Sequence, residues 1–209
     1  LHGLKYILLE KCYTKKTFYV TEKKIQEIML FIGTSDTKNI IPLFLEIFKD
    51  DYFKIFNINV VLSEVSLNHK KIKHLISKLS NVNLYTNLPN LNDLIQKSDF
   101  IIGAGGTNTW ERIYYNKPSL VIKTADNQEI VIKALKEKNA AFIQKELPTQ
   151  NNLKDLQKNL KDLIENKKVI HKIAKNSITL VDGFGRSRVA FKLLGLTSKL
   201  ILKTAYQQN

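Results

Sequence analysis

The chain has 209 residues, 44% of them hydrophobic and 25% charged, which suffices for a sizeable core and excludes wholesale disorder. No apolar run approaches the roughly 18–20 residues needed to cross a bilayer, and the N-terminus lacks the apolar stretch of a signal peptide, so no membrane association is expected. The net charge of +14 comes mostly from lysines scattered along the chain, with arginine only at Arg112, Arg186 and Arg188; nucleic-acid readers lean on arginine's planar fork, so nucleic acid is not the expected partner, although the surface attracts anions in general.

The chain opens at Leu1, and its one methionine, Met29, lies inside an apolar run, so the expectation is the C-terminal part of a longer protein. The lone Cys12 cannot form an intramolecular disulfide or a Cys-based zinc site, which fits a reducing cytoplasm. Apolar, β-branched or aromatic runs at 6–9, 28–32, 58–62, 82–85, 100–102, 120–122 and 141–143 predict strands. Their continuous apolarity suits strands covered on both faces. Between them, helices are expected at 39–48, at 68–79 with Ile72, Leu75, Ile76 and Leu79 on one stripe, and at 91–96, 109–115 and 129–138. From residue 151 the strands stop, and 153–165, 169–180 and 187–196 read as three closing helices. Strand–helix repetition of this kind implies right-handed βαβ units and an α/β fold with a Rossmann-like open parallel sheet and a helical C-terminal tail. The expected division is an entry segment at 1–21, an α/β domain at 22–150, and a tail at 151–209 that packs back on it.

Ligands of such sheets bind at the carboxyl ends of the strands, near the point where strand order reverses. The most informative segment is SDFIIGAGGTNTWERIYYN at 98–116, a strand running into a glycine loop and then a helix. Gly105 and Gly106 allow close backbone approach to an anion, the helix start supplies free N–H groups, and Thr107 and Thr109 add hydroxyls. Glu111 lies about one turn into the helix, where a carboxylate can accept from ribose hydroxyls. The same pattern also suits a plain glycine turn with an ordinary first-turn acid. It is not the dinucleotide fingerprint, because Asn108 stands where a third glycine would be required, and no G-K-[ST] follows.

A second loop follows the run at 28–32: Gly33, Thr34 and Ser35 can form an opposite wall of an anion pocket, and Asp36 can join it or cap the next helix. A third, at 123–128, brings Asn127 and Gln128, amides able to bond a base, a sugar or a phosphate, or to cap a helix. The run DGFGRSR at 182–188 reads as a turn and helix start in preference to a diphosphate contact. His2, His69, His74 and His171 have no metal-ligand spacing, none falls beside the glycine loop, and no general base is apparent, so the catalytic group is unassigned and no metal site is expected.

The segments at 104–111, 118–122, 127–128 and 182–188 together resemble the pseudaminic-acid pathway hydrolases that cleave UDP-2,4-diacetamido-2,4,6-trideoxy-β-L-altropyranose, and more broadly the C-terminal half of GT-B proteins such as MurG-type glycosyltransferases. Gly3, Tyr6, Leu8 and Leu9 resemble that family's interdomain G-x-x-Y-x-L-L stretch. The resemblance implies a GT-B C-terminal domain that binds a UDP-sugar without cofactor or metal. It implies that Gly105, Gly106 and Thr107 hold the diphosphate, Glu111 the ribose, and Asn127 with Gln128 the sugar side, while the loop Gly33, Thr34, Ser35, Asp36 faces the uracil or diphosphate. It places the catalytic histidine on an N-terminal domain that no part of this chain matches, to be supplied in cis. The family's first loop reads G-G-x-D, and here Thr34 replaces the second glycine. A glycosyltransferase half using a UDP-sugar donor and a non-catalytic UDP-binding module are the alternatives.

Overall fold

Six strands, β1 (Glu27–Phe31), β2 (Asn57–Val61), β3 (Val82–Tyr85), β4 (Phe100–Ala104), β5 (Ser119–Ile122) and β6 (Phe142–Ile143), form one parallel sheet in the order β3-β2-β1-β4-β5-β6. This computed structural model describes residues 1–13 and 24–195. Residues 14–21 of the expected entry segment and the end of the expected tail lie outside the described residues. The pairing is in register, with Ile28 opposite both Ile58 and Phe100, Phe31 opposite Gly103, and Ala104 opposite Ile122.

The central strands β1, β4 and β5 are mostly apolar because both faces are covered, whereas Glu27, Asn57, Asn59 and Asn83 form a hydrogen-bonded polar row across β1, β2 and β3. Ile28 and Leu30 of β1, Phe100 and Ile102 of β4, and Leu120 and Ile122 of β5 point into one core. Met29, Ile101 and Val121, the residues between them, point into the other. Alternate side chains of a strand project to opposite faces, so a strand with a core on each side has no polar phase.

The first core is closed by α1 (Ile40–Ile47), α2 (His69–Ile76) and α6 (Leu153–Glu165), and by Ile170 of α7 (Lys167–Ser177). The expected stripe on α2 is present: Ile72 and Ile76 are buried, and Leu75 and Leu79 pack against them. Leu156, Leu160, Leu163 and Ile164 of α6 enter this core, a gross gain of about 6–12 kcal/mol before chain entropy is counted. The second core takes Leu94 and Ile95 of α3 (Asn92–Lys97), Trp110 and Ile113 of α4 (Thr109–Tyr114), and Ile132 and Leu135 of α5 (Glu129–Lys138). A short 3-10 turn, Asp126–Gln128, leads into α5.

The run at 6–9 is not a strand. Leu4–Tyr6 makes one 3-10 turn and the chain continues irregularly to Tyr13, with Leu9 and Tyr13 buried in the second core. Tyr6 and Ile7 N–H donate within the turn, to Gly3 O and Leu4 O, and the segment is held against α8 (Gly185–Leu194) instead of joining the sheet. Arg188 Nη1 donates to Lys5 O at 2.9 Å and pairs with Asp182 through both nitrogens at 2.9 and 2.6 Å. A Cβ on Gly185 would lie 2.7 Å from Ile7 C and 2.9 Å from Ile7 N, so only glycine permits this contact. The DGFGRSR segment is therefore a clasp on the N-terminal segment, and its Arg188 is engaged there. Helix α7 begins two residues before its expected start because the Asn166 side chain accepts from Val169 N–H at 3.1 Å.

Candidate functional site

The chain leaves β1 toward β2 and β3 but leaves β4 toward β5 and β6, so the connections diverge between two adjacent strands and open a crevice at their carboxyl ends. Because Phe31 pairs with Gly103 and Ala104 with Ile122, the loops after β1, β4 and β5 start at one level of the sheet. All three loops singled out in the sequence thus meet along this edge.

In the β4 loop, Gly105 N–H extends the ladder to Ile122 O at 3.1 Å. Gly106 O and Thr107 O accept from Thr109 N–H and Trp110 N–H at 3.0 and 3.1 Å, turning the chain into α4. Among the described residues, the N–H groups of Gly106, Thr107 and Asn108 have no acceptor. Three adjacent unpaired amides at a loop-to-helix junction are the arrangement that receives an anion. A Cβ on Gly106 would meet nothing within 4 Å, whereas one on Gly105 would press on Ile132 Cδ1 at 3.3 Å and Gln128 Cβ at 3.4 Å. Gly105 is thus closely packed against Ile132 and Gln128, and Gly106 faces open space. Thr107 is exposed. Thr109 is not available as a donor to a ligand: it is buried, and its hydroxyl donates to Ala104 O at 3.3 Å.

Glu111 is half-buried at this junction. Tyr13 Oη donates to its Oε2 at 2.7 Å and Asn108 Nδ2 to the same oxygen at 2.5 Å. Among the described residues Oε1 accepts no hydrogen bond. Burial pushes the carboxyl upward from its ordinary value, against the opposing pull of those two donors. Burial, reinforced by Glu111, holds the Tyr13 hydroxyl far above its ordinary value, so it stays protonated and donates to Glu111.

In the β1 loop, Gly33 has φ +103°, and Thr34 and Ser35 are exposed. Their carbonyls are tied to the β2 loop, Thr34 O accepting from Ser63 N–H at 3.0 Å and Ser35 O from Ser66 Oγ at 2.9 Å. Asp36 does not join a pocket wall. It is 2% exposed, and its two oxygens accept from Ile40 and Ile41 N–H, both at 2.9 Å, which caps α1. Burial raises its carboxyl from the ordinary value, and those two amides counter the rise.

In the β5 loop, Asn127 is exposed, whereas Gln128 is turned back on its own loop. Thr124 N–H donates to Gln128 Oε1 at 2.8 Å and Gln128 Nε2 donates to Thr124 Oγ1 at 2.9 Å. Gln128 therefore shapes the loop and supports Gly105, leaving Asn127 as the free amide.

Two residues here carried no sequence assignment. Arg112 is 1% exposed beneath the β4 loop, with Nη2 donating to Ala104 O at 2.5 Å and Thr109 Oγ1 at 2.9 Å, and Nε to Asn108 O at 3.5 Å. Tyr13 reaches Glu111 across 98 residues of sequence. The scarcity of arginine was the only sign of the first, and nothing local signals the second. His69 opens α2 at this same edge, its backbone N–H on Ser66 O at 3.0 Å and its Nε2 buried without a partner among the described residues. Among the described residues, no three His, Cys, Asp or Glu side chains are grouped to hold a metal, and no helix is long and apolar enough to cross a membrane.

A six-stranded parallel sheet of this order with a crevice at its switch point is the Rossmann-like architecture of a GT-B domain, here with a helical C-terminal region. Residues 27–184 match the glycosyltransferase family 28 C-terminal domain, and the chain belongs to this family. No curated protein sequence matches the chain. Among solved structures, the UDP-GlcNAc 2-epimerase from Neisseria meningitidis bound to UDP-GlcNAc is similar with TM-score 0.62 and 21% identity, over 82% of this chain and 45% of that one. The S. aureus MnaA–UDP co-structure is similar with TM-score 0.61 and 17% identity, over 84% and 48%. MurG from Acinetobacter baumannii is similar with TM-score 0.60 and 14% identity, over 84% and 51%. The chain spans about half the length of these proteins.

Proposed function

We propose that this chain is the UDP-sugar-binding half of a cytoplasmic nucleotide-sugar hydrolase that cleaves UDP-2,4-diacetamido-2,4,6-trideoxy-β-L-altropyranose to UDP and free sugar in pseudaminic acid biosynthesis. The observation that carries the reading is the set of three unpaired amides at Gly106, Thr107 and Asn108, with Glu111 Oε1 open beside them. The amides suit a diphosphate, and a carboxylate one helical turn away suits the ribose hydroxyls. Asn127 is the amide that remains for the sugar side, and the Gly33–Thr34–Ser35 loop closes the opposite wall. Family membership and the UDP or UDP-GlcNAc bound in two similar structures support a UDP-sugar ligand.

In the reaction, water attacks the anomeric carbon, the C1–O bond breaks, and UDP departs with the electron pair. This half of the protein holds the departing diphosphate in place and stabilises its growing charge. The base that takes the water's proton belongs to an N-terminal domain in the same full-length protein, facing the crevice. The family 28 match equally favours a second reading, a glycosyltransferase half that presents the same donor to an acceptor hydroxyl.

Calorimetric titration of the chain with UDP, ADP and pyrophosphate at physiological salt tests the site. UDP is expected to bind best and ADP more weakly. Equal binding of all three ligands that salt removes together would reduce the signal to the +14 surface and refute the proposal. Full-length protein then separates the two readings: release of free sugar in water alone supports the hydrolase, and a strict need for an acceptor supports the transferase.

A further inference from the structure

We infer that Arg112 is the fixed counter-charge of the anion site, a positioning cation held beneath the glycine loop that acts on a bound diphosphate through the loop. The inference rests on the diphosphate reading above and adds the group that makes the loop selective for charge.

The guanidinium is 1% exposed, and among the described residues no carboxylate bonds it. Its acceptors are two carbonyls and a hydroxyl: Ala104 O on one side of the loop, Asn108 O and Thr109 Oγ1 on the other. The side chain therefore spans the base of the loop and fixes both of its ends. Nη1 is left over, buried with no acceptor among the described residues, and lies against Gly103, where a Cβ would strike the guanidinium and come within 3.0 Å of Phe31 O. That position is between the ends of β1 and β4, directly under the crevice.

A buried, unneutralised guanidinium is unfavourable for the free protein, since its hydration is lost and neutral acceptors replace it only in part. Burial pulls its pKa down to about 10, which still leaves it charged at neutral pH. Glu111 is the one acid that acts on it, and that carboxylate is turned toward Tyr13 and Asn108. Residues whose only task is to tie carbonyls together do not need a net charge. A dianion seated on the Gly106–Asn108 amides would supply the missing opposite charge, and the buried setting would screen the pair little.

The experiment uses this chain with UDP, pyrophosphate and uridine as probes, and the variants Arg112→Met and Arg112→Lys. Arg112→Met is expected to lose UDP and pyrophosphate affinity about 10–100-fold, the size of one charge pair acting across the loop at an intermediate effective dielectric. Uridine affinity is expected to be unchanged, and the urea midpoint of the free protein equal or higher, because a buried charge has been removed. Arg112→Lys is expected to recover most of the loss. Parent-like UDP affinity in Arg112→Met, or an equal loss for uridine, would overturn the inference, the second by showing that only the shape of the loop had been lost. Should the Met variant fail to fold, the parent protein decides: with arginine only at 112, 186 and 188, the three Nε–H signals are separable by nitrogen-15 NMR. Saturating pyrophosphate is expected to shift the Arg112 signal and slow its exchange with solvent, uridine to leave it in place, and an Arg112 signal unmoved by pyrophosphate overturns the inference. If the parent binds neither UDP nor pyrophosphate, the proposed function itself has failed, a result distinct from wild-type binding that is indifferent to Arg112.

Discussion

Asp36 offers the sharpest separation between a structural and a ligand-binding role at this edge of the sheet, and Asp36→Ala is the perturbation. The carboxylate is 2% exposed and both oxygens accept backbone N–H groups at 2.9 Å, from Ile40 and Ile41. Loss of a helix cap alone costs about 0.5–2 kcal/mol, and each buried N–H left unsatisfied about 1–3 kcal/mol. These figures overlap, since both count the same bonds, and water can reach part of the vacated space. The backbone at residue 36 has φ +42°, a region that aspartate tolerates better than alanine, which adds a smaller increment. A net loss of about 2–4 kcal/mol follows, or roughly 5–15 °C in Tm for a domain of this size. Urea and thermal unfolding followed by circular dichroism give the stability, and calorimetry below the midpoint gives the affinity for pyrophosphate. The expected result is a large fall in stability with unchanged affinity in the folded fraction. Parent-like stability with weakened pyrophosphate binding would refute the capping argument and return Asp36 to the pocket wall.

Glu111→Gln tests the ribose contact: UDP is expected to weaken by about 1–3 kcal/mol, the worth of a hydrogen bond to a charged group, while pyrophosphate, which has no ribose, is unaffected. The pH dependence follows from burial raising the Glu111 carboxyl. In the folded chain protonation comes at higher pH than in the unfolded one, so this group favours folding below its unfolded value and loses that contribution as pH rises through the raised value. Glu111→Gln is therefore expected to gain stability over the parent at neutral pH, with the gain vanishing in acid; a urea midpoint that is lower at pH 7 would contradict it. In the parent, UDP affinity referenced to pyrophosphate is expected to fall on acidification before ordinary carboxylates titrate. Gly185→Ala places a methyl against the Ile7 backbone and is expected to cost about 1–3 kcal/mol, as overpacking does, with residues 1–13 becoming sensitive to limited proteolysis; an unchanged digestion pattern would show that the clasp yields freely.

The architecture was legible in the chain because its causes are local. Runs such as IMLFI at 28–32 and FII at 100–102 declare strands with a core on each side, and the helical stripe of Ile72, Leu75, Ile76 and Leu79 declares α2, since side-chain period follows from backbone geometry alone. The glycine loop could also be placed at a strand end from its neighbours in sequence. The sequence pattern failed at 6–9, where the apolar run is a 3-10 turn and irregular chain whose Leu9 is buried in the second core, while Arg188, 183 residues from Lys5, holds the neighbouring carbonyl.

What the tertiary structure alone decided is which polar groups near the crevice remain open. Asp36, Thr109 and Gln128 have the right chemistry and the right loops, yet each is already bonded within the fold, to α1, to Ala104 and to Thr124. Glu111 keeps one free oxygen because Tyr13, from the far end of the chain, takes the other. Arg112, which carried no sequence assignment, lies buried beneath the loop. Residue type and spacing specify the elements and the order in which their ends meet. The occupancy of each donor and acceptor depends on contacts through space between segments that no sequence window contains together.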